Sequence, residues 1–173
     1  VDTEADNEWD HDKAPSYANI EGMISFQGLC QEYGAKPTYL VTYDVARQRG
    51  CAQVLREISA DGQAEIGAHL HPWSTPPLDR EPPGHGHAYL YEYAPETQRA
   101  KLEHLTERLA EVFGHRPTSY RAGRWGLDET GLGLLGELGY EVDTSVVPLT
   151  SFWRTTGRTK EGPDFLRCPE LIS

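Results

Sequence analysis

The sequence predicts an α/β domain in which a parallel sheet or barrel carries helices on its outside. The first observation is alternation, because short segments rich in β-branched and aromatic residues take turns with segments of helical periodicity. The second is size and composition: 173 residues, with 38% hydrophobic and 25% charged residues, suit one domain with one core. We therefore expect residues 1–173 to form a single domain.

Two predicted helices lie among the first three predicted strands. The first predicted strand, before Asp2, is reduced to Val1. The helix predicted over 20–34 has an apolar face formed by Ile20, Met23, Phe26, Leu29, Cys30 and Tyr33. Residues 38–43 (TYLVTY) are β-branched and aromatic, which predicts a buried strand. A second helical stripe contains Cys51, Val54, Leu55 and Ile58. The third strand is predicted over 64–70 (AEIGAHL).

A long connection separates this part from two further helices and two further strands. Residues 72–95 are rich in Pro, Gly, His and Tyr, and connections of this length are often functional loops. The helix over 96–113 has an apolar face formed by Leu102, Leu105, Leu109, Val112 and Phe113. A strand over 118–121 precedes a helix over 128–138, whose apolar residues are Leu132, Leu135 and Leu138. The last strand is predicted over 140–147.

Charge and cysteine content exclude several classes of partner. The net charge of −11 argues against nucleic acid or an anionic membrane surface and is compatible with a neutral or cationic substrate. No segment approaches the roughly 20 apolar residues of a membrane span. Cys30, Cys51 and Cys168 form no CxxC pair; Cys30 and Cys51 fall on apolar faces, which favours buried free thiols. We predict a cytoplasmic location on this basis and because no signal peptide opens the chain.

The two ends predict an incomplete domain. The chain opens at Val1 without a Met, and a motif of polar residues follows at once. The tail after Thr150 stops without a closing element. We therefore expect further residues of the fold on both sides.

Polar residues gather where the predicted parallel strands end, which is where such folds carry their sites. Asp2 and Glu4 are two residues apart, as are His69 and His71, so each pair points to one face of its strand. Two imidazoles and a carboxylate form half of the shell of a divalent metal. The other carboxylate can then take a proton from metal-bound water. Arg121 ends another predicted strand.

Each of these signals also has a simpler interpretation. A histidine at this place can be a hydrogen-bonded residue at a barrel rim rather than a ligand. Asp2 and Glu4 belong to an acidic segment, 2–12, and such segments are usually solvated. Arg121 on its own is typical of a surface ion pair.

Four segments together resemble a known family. VDTEADNEWD, EIGAHLHPW, SYRAGRWG and GYEVDTSVVP have the order and approximate spacing of the first motifs of the polysaccharide deacetylases, the NodB-homology esterases of carbohydrate esterase family 4. They resemble a divergent branch with a D-x-E opening and an H-x-H-P-W second motif. The resemblance implies an irregular (β/α) barrel with fewer than eight strands. It also implies a metal-dependent hydrolase that removes acyl groups, chiefly N-acetyl groups, from a carbohydrate or related amide.

The resemblance assigns roles to single residues. Asp2 resembles the family's catalytic base and Arg121 the arginine that holds it, while Glu4 and His69 resemble the acidic ligand and the first metal histidine. Thr3 separates two acids that are adjacent in the family, so Asp6 or Asn7 remain alternatives to Glu4 as ligand. Zinc is the default ion, and cobalt, nickel or iron suit the same ligands.

Two further departures concern histidines. The family's second metal histidine follows the first by four residues, but Trp73 stands there, so we expect His71 to serve instead. The late Leu-x-His motif that supplies the general acid has no counterpart before Ser173. Either it lies beyond, or His85 or His87 from the long loop replaces it.

Aromatic residues near these motifs predict a sugar site. We predict that Trp73, Arg124 and Trp125 contact the substrate, since aromatic rings present apolar faces with polar edges. The tyrosines of the long loop either do the same or alternate along a short edge strand: Tyr89, Tyr91 and Tyr93. Substrate identity and oligomeric state stay open.

Three other functions fit part of the pattern. An amidohydrolase also carries His-x-His at a strand end, although on its first strand, and Asp143 is the one candidate for a further ligand here. A non-haem iron oxygenase uses two histidines and a carboxylate, although usually on an all-β scaffold. An inactive carbohydrate-binding relative would keep the fold without turnover.

Overall fold

The sheet consists of five parallel strands that pair in chain order. The computed structural model describes residues 1–80 and 86–168, and its strands are β1 (Asp2–Thr3), β2 (Thr38–Val41), β3 (Glu65–Leu70), β4 (Ser119–Ala122) and β5 (Val142–Asp143). The spatial order is β1-β2-β3-β4-β5, and each pairing is parallel. The predicted α/β architecture with a parallel sheet is confirmed. The last strand is much shorter than the predicted 140–147.

Helices connect the strands, as predicted. They are α1 (Ala18–Glu32), α2 (Tyr43–Arg47), α3 (Arg49–Ser59), α4 (Pro95–Phe113) and α5 (Glu129–Leu138). Short 3-10 helices occupy Leu90–Glu92 and Gly123–Trp125. In the described part of the chain, none of the helices combines the length and apolarity of a membrane span.

Helix α2 was not predicted, because its first residue completes the β-like string TYLVTY. The hydroxyl of Thr42 accepts a hydrogen bond from the backbone N–H of Val45 at 3.5 Å, and the chain turns into a helix there. A threonine can cap a helix as readily as it can extend a strand. The strand therefore ends at Val41, two residues before the predicted end.

Helices α1 and α5 bury only part of the faces predicted. In α1, Ile20 and Met23 are buried as predicted, and Gln27 is buried too, with its amide oxygen accepting a hydrogen bond from the hydroxyl of Tyr39 at 2.9 Å. The other predicted apolar residues face outward: Phe26, Leu29 and Tyr33 are 41%, 53% and 77% exposed. In α5, Leu132 is exposed, and the helix packs through Gly131, Leu134 and Leu135. Cys51 is buried as predicted, whereas Cys30 is partly exposed.

The sheet is strongly curled, and this curl brings together residues from strands that do not pair. Asp2 on β1 and Arg121 on β4 are separated by two strands, yet Nη1 of Arg121 donates to Oδ1 of Asp2 at 2.7 Å. In a flat sheet the two strands would lie about 14 Å apart, beyond the reach of this pair. The inner face is tight at Gly67, where a Cβ would lie 2.8 Å from Cδ2 of Leu40 and 2.9 Å from the carbonyl of Ser119.

A buried lysine holds the start of the long loop against α4. Lys101 is fully buried, and its ammonium donates hydrogen bonds to the carbonyls of Pro72, Thr75 and Pro77 at 2.8, 2.9 and 2.6 Å. The ammonium also lies 4.6 Å from the centre of the Tyr93 ring. Burial lowers the pKa of Lys101 to about 8, so the side chain remains a donor at neutral pH.

Lys101→Met should therefore destabilise the protein by about 3 kcal/mol, because three buried carbonyls lose their donor. Urea unfolding at pH 7 measures this. Lys36→Met is the matched control, since Lys36 is exposed and should cost less than about 0.5 kcal/mol. Equal midpoints for the two variants would show that the loop does not depend on Lys101.

Candidate metal centre

Three side chains converge at the C-terminal edge of the curled sheet. Oε2 of Glu4 lies 3.3 Å from Nε2 of His69 and 2.8 Å from Nε2 of His71, and the three donor atoms all lie within 4.8 Å of one another. The His69 side chain is 4% exposed and that of His71 is fully buried. Residues 1–80 and 86–168 contain no second group of this kind.

The strand register places these residues. Thr3 pairs with Val41, and Val41 pairs with Ala68. The residues that follow Thr3 and Ala68 therefore lie at the same height along their strands. Those residues are Glu4 and His69, and His69 in turn pairs with Arg121. His71 lies one residue beyond β3 and faces the same way as His69. Parallel strands thus bring these candidate ligands, which are distant in sequence, to one edge of the sheet.

Hydrogen bonds fix the tautomer of His69. Its Nδ1 lies 2.9 Å from the carbonyl oxygen of Arg121. A carbonyl only accepts, so Nδ1 carries the proton and Nε2 presents its lone pair towards Glu4. This is the orientation that a metal-binding imidazole needs.

His71 is held differently. Its Nε2 faces Glu4, while its Nδ1 is buried without a hydrogen-bond partner among the described residues. The backbone of Gly123 packs against that nitrogen, and a Cβ on Gly123 would lie only 2.7 Å from it. Residue 123 must therefore be glycine for His71 to keep its place.

The electrostatics of the cluster favour a cation. Burial lowers the pKa of His71 to about 4, so its imidazole is neutral at pH 7 and can act as a ligand. Burial alone would raise the pKa of Glu4, but its close contacts with the imidazoles of His69 and His71 outweigh burial and lower this pKa to about 2. One carboxylate and two neutral imidazoles form a donor set for zinc and related ions.

Asp2 and Arg121 form a second pair beside this cluster. Nη1 of Arg121 donates to Asp2, while Nε donates to the carbonyl and the hydroxyl of Thr144 at 3.2 and 3.1 Å. The guanidinium is thus fixed on both sides. The Asp2 side chain is 36% exposed, so its carboxylate remains accessible from solvent.

The alternative ligands Asp6 and Asn7 lie outside the cluster. The amide of Asn7 donates to the carbonyl of Ala14 at 2.9 Å and accepts from the N–H of Ser16 at 2.7 Å. Oδ2 of Asp6 accepts a hydrogen bond from the hydroxyl of Ser16 at 3.1 Å. Both side chains close the loop between β1 and α1, and Glu4 is the acid that faces the histidines.

Asp143 does not join the cluster either. Its carboxylate accepts hydrogen bonds from the N–H and the hydroxyl of Ser145. The same hydroxyl accepts from the N–H of Ala122 at 2.8 Å. Asp143 therefore fixes the segment after β5 rather than supplying a further ligand.

Two tryptophans flank the histidines. The ring of Trp73 lies 4.4 Å from that of His71, and its indole N–H donates to Glu8 at 2.9 Å. Trp9 lies 5.4 Å from His71 and 5.5 Å from Trp73. Trp73 was predicted from the sequence, whereas Glu8 and Trp9 were missed. Their position just after the acidic pair, in the same motif, was the one available signal.

An aromatic cleft of about 360 Å³ adjoins the cluster, lined by Trp9, Tyr89, Arg124, Trp125, Phe152 and Thr155. Trp125 stacks on Phe152 with 4.5 Å between ring centres, and the Arg124 guanidinium lies 4.7 Å from the centre of the Tyr89 ring. Arg124 and Trp125, both predicted to contact the substrate, thus line the same cleft, while Trp73 lies beside the histidines.

The loop tyrosines form neither an edge strand nor a row of exposed rings. Tyr89 and Tyr91 are buried at a 3-10 helix, and their hydroxyls donate to the carbonyls of Thr155 and Glu161. The hydroxyl of Tyr93 donates to Asp79 at 2.6 Å. These hydroxyls hold the loop in place, and Tyr89 alone also lines the aromatic cleft.

Of the two loop histidines considered as general acids, His85 lies outside the described residues. The His87 ring lies 4.6 Å from that of Tyr93, and its Nδ1 is 3.6 Å from Oδ2 of Asp79. His87 also lines a small cavity, together with Trp9, His11, Trp73, Gly86, Ala88 and Arg124. It therefore lies at the approach to the cluster.

Comparisons with known proteins identify a family for this sequence. The sequence model of the polysaccharide deacetylases matches residues 25–142. A search of curated protein sequences finds no significant match.

Solved structures with the same fold have low sequence identity to this chain. A Mycobacterium smegmatis protein assigned as a polysaccharide deacetylase is 23% identical, with a TM-score of 0.55 over 72% of this chain and 38% of its own. The chitin deacetylase of Colletotrichum lindemuthianum is 19% identical, with a TM-score of 0.52 over 68% and 47%. A CE4 family pseudoenzyme from Bacillus anthracis is 8% identical, with a TM-score of 0.54 over 72% and 38%. The chain thus spans less than half the length of each, and the predicted irregular (β/α) barrel is confirmed.

Glu8 should make stability depend on pH. Burial raises the pKa of Glu8 to about 7 from 4.5, against the lowering effect of the Trp73 N–H. Between these values the folded state binds more protons than the unfolded state, so the free energy of unfolding falls as pH rises. Glu8→Gln removes this pH-dependent loss of stability. The variant should therefore be more stable than wild type by about 1–2 kcal/mol at pH 8, but not at pH 4.

Urea unfolding of metal-free protein at several pH values measures the effect. Glu32→Gln is the control, since Glu32 is exposed and should follow the wild-type profile. Parallel profiles for wild type and Glu8→Gln would contradict the burial of an ionised Glu8.

Proposed function

Because the chain belongs to the polysaccharide deacetylase family, we propose that it is a metal-dependent hydrolase that removes N-acetyl groups from a carbohydrate or related amide. The observation that carries this proposal is the convergence of Glu4, His69 and His71 beside the Asp2–Arg121 pair. It joins a metal-ligand set to an oriented, accessible carboxylate. A metal-dependent hydrolase of amides uses both.

We propose one divalent transition metal, zinc in the first place, held by Glu4, His69 and His71. A bound ion of this kind polarises the amide carbonyl and brings the pKa of its water towards about 7. The residues themselves fit the role, because His69 already directs Nε2 inward and His71 is neutral.

Asp2 is the proposed general base. Arg121 occupies Oδ1 of Asp2, which leaves Oδ2 free to accept the proton from the attacking water. Thr144 anchors the other side of the guanidinium, so the carboxylate is held in one orientation. A positioned base of this kind contributes roughly 10²–10⁴ in rate.

A histidine is the proposed general acid for the leaving amine. Of the two loop histidines, His87 is the one within the described residues, and it lines the same small cavity as Trp73 and Trp9. Trp73, Trp125 and Arg124 are the proposed substrate contacts.

The three alternative functions differ in how well they agree with the fold and the site. The helices between the strands disagree with the all-β scaffold of an iron oxygenase. Asp143 is engaged by Ser145, and the histidines follow the third strand, so an amidohydrolase is disfavoured. The inactive relative is the second candidate, because a pseudoenzyme of the CE4 family shares this fold. Turnover by metal-loaded protein separates it from the enzyme.

Purified wild type should contain about one equivalent of a transition metal. The double variant His69→Ala/His71→Ala should contain none, because it loses two of three ligands. Elemental analysis measures both proteins. His104→Ala is the control, since His104 is exposed on α4 and its loss should leave the metal content unchanged. A wild type without metal after reconstitution would contradict the site.

Asp2→Asn should keep the metal but lower kcat/KM for an N-acetylated sugar by about 10²–10⁴, because an amide cannot accept the proton. Acetate release and metal content are measured on the same preparation. Asp12→Asn is the control, since Asp12 is an exposed acid of the same segment. Turnover at the wild-type rate in Asp2→Asn would remove Asp2 from this role, and absence of turnover in metal-loaded wild type would favour the inactive relative.

A further inference from the structure

The aromatic cleft is continuous with the metal centre. Trp9 and Arg124 line both the cleft and the small cavity beside it, and Trp9 also contacts His71. Gly123 packs directly on His71, and Arg124 is the next residue. A ligand that reaches the metal ligands therefore lies against Trp9 and within the range of Arg124.

The walls of these two cavities differ in charge from the rest of the chain. The chain has 27 acidic and 16 basic residues apart from histidine. Among the described residues, however, no carboxylate lines either cavity, and the ionisable residues other than Tyr89 are His11, His87 and Arg124. The sequence shows no basic cluster, because these residues come from three distant segments. Among the described residues that line the two cavities, Arg124 is the one side chain that is always charged.

Arg124 differs from several other arginines in its contacts. Four of them lie within 4 Å of a carboxylate: Arg47, Arg99, Arg108 and Arg121. In the described ranges no carboxylate lies this close to Arg124, whose guanidinium contacts the face of Tyr89. A planar guanidinium that rests on an aromatic ring keeps its N–H groups free for an oxyanion.

The backbone at this point is unusual too. Arg124 and Trp125 both have left-handed backbone angles, with φ of 53° and 57°. Such residues cost roughly 1–2 kcal/mol each and persist where the surrounding structure requires them, often at ligand sites. Here the conformation places the guanidinium over Tyr89 and the indole of Trp125 on Phe152.

We propose that the cleft binds an N-acetylated sugar that carries a carboxylate, with Arg124 as the residue that pairs with it. This inference rests on the proposed function, since it gives the substrate class of that same site. The ring of Trp9 is 57% exposed and, with Trp125, offers a flat surface for the sugar ring. The N-acetyl group then lies towards the histidines and the carboxylate towards Arg124.

Matched ligands test this proposal: the methyl glycoside of N-acetylglucosamine, the same glycoside with a carboxylate at C6, and its 6-phosphate. Calorimetry in the Asp2→Asn background measures binding without turnover. The carboxylate should bind about 10-fold to 100-fold more tightly than the neutral glycoside, and Arg124→Gln should abolish this difference. Arg116→Gln is the control, since this exposed arginine precedes β4, at the opposite edge of the sheet, and its loss should leave the preference intact.

Equal binding of neutral and carboxylated glycosides would overturn the proposal, as would a preference that survives in Arg124→Gln, or no binding at all. Binding of the phosphate alone would overturn the assignment to a carboxylate. Deacetylation assays on wild type report separately on the proposed function. If the sugar acid binds through Arg124 but releases no acetate, the proposed reaction fails and this inference stands.

Discussion

The curl of the parallel sheet is the constraint on which the candidate site depends. A sheet of this type delivers the ends of all its strands to one edge, but only a curled sheet brings non-neighbouring strands into contact. Asp2 on β1 reaches Arg121 on β4 across two strands, at a distance that a flat sheet would not allow. Gly67 leaves room within the sheet, since a Cβ there would lie 2.8 Å from Cδ2 of Leu40. The curl therefore determines which residues can act together.

Arg121 joins the parts of the site at this edge. Its carbonyl oxygen fixes the tautomer of His69, its guanidinium orients Asp2, and its Nε is anchored by Thr144 just beyond β5. A proposed ligand, a proposed base and the edge of the sheet thus depend on one residue. An ion pair as exposed as Asp2–Arg121 adds little to stability, about 0–1 kcal/mol. Its value lies in geometry, because it holds the carboxylate in one orientation.

Strand periodicity and the polarity of parallel sheets made part of the site predictable from the sequence. Residues two apart on a strand share a face, so the pairing of His69 with His71 could be foreseen, as could their meeting with Glu4. The full buried faces of α1 and α5 could not, because α1 also buries the polar Gln27, which is paired with Tyr39, and α5 also packs through the small Gly131. That Asp6 and Asn7 do not join the histidines likewise could not be foreseen from the sequence, since their side chains close a loop rather than face the histidines.

Net charge leaves the ligand of the cleft open for a related reason. Charges separated by more than a Debye length, about 8 Å at physiological ionic strength, are largely screened, so most of the acidic surface is not felt inside the cleft. Among the described residues that line the cleft, the charged side chain is that of Arg124. Arg124 reaches this position only because the chain turns directly after β4, at the sheet edge where the histidines lie. The net charge of the whole chain therefore does not decide which ligand the cleft accepts.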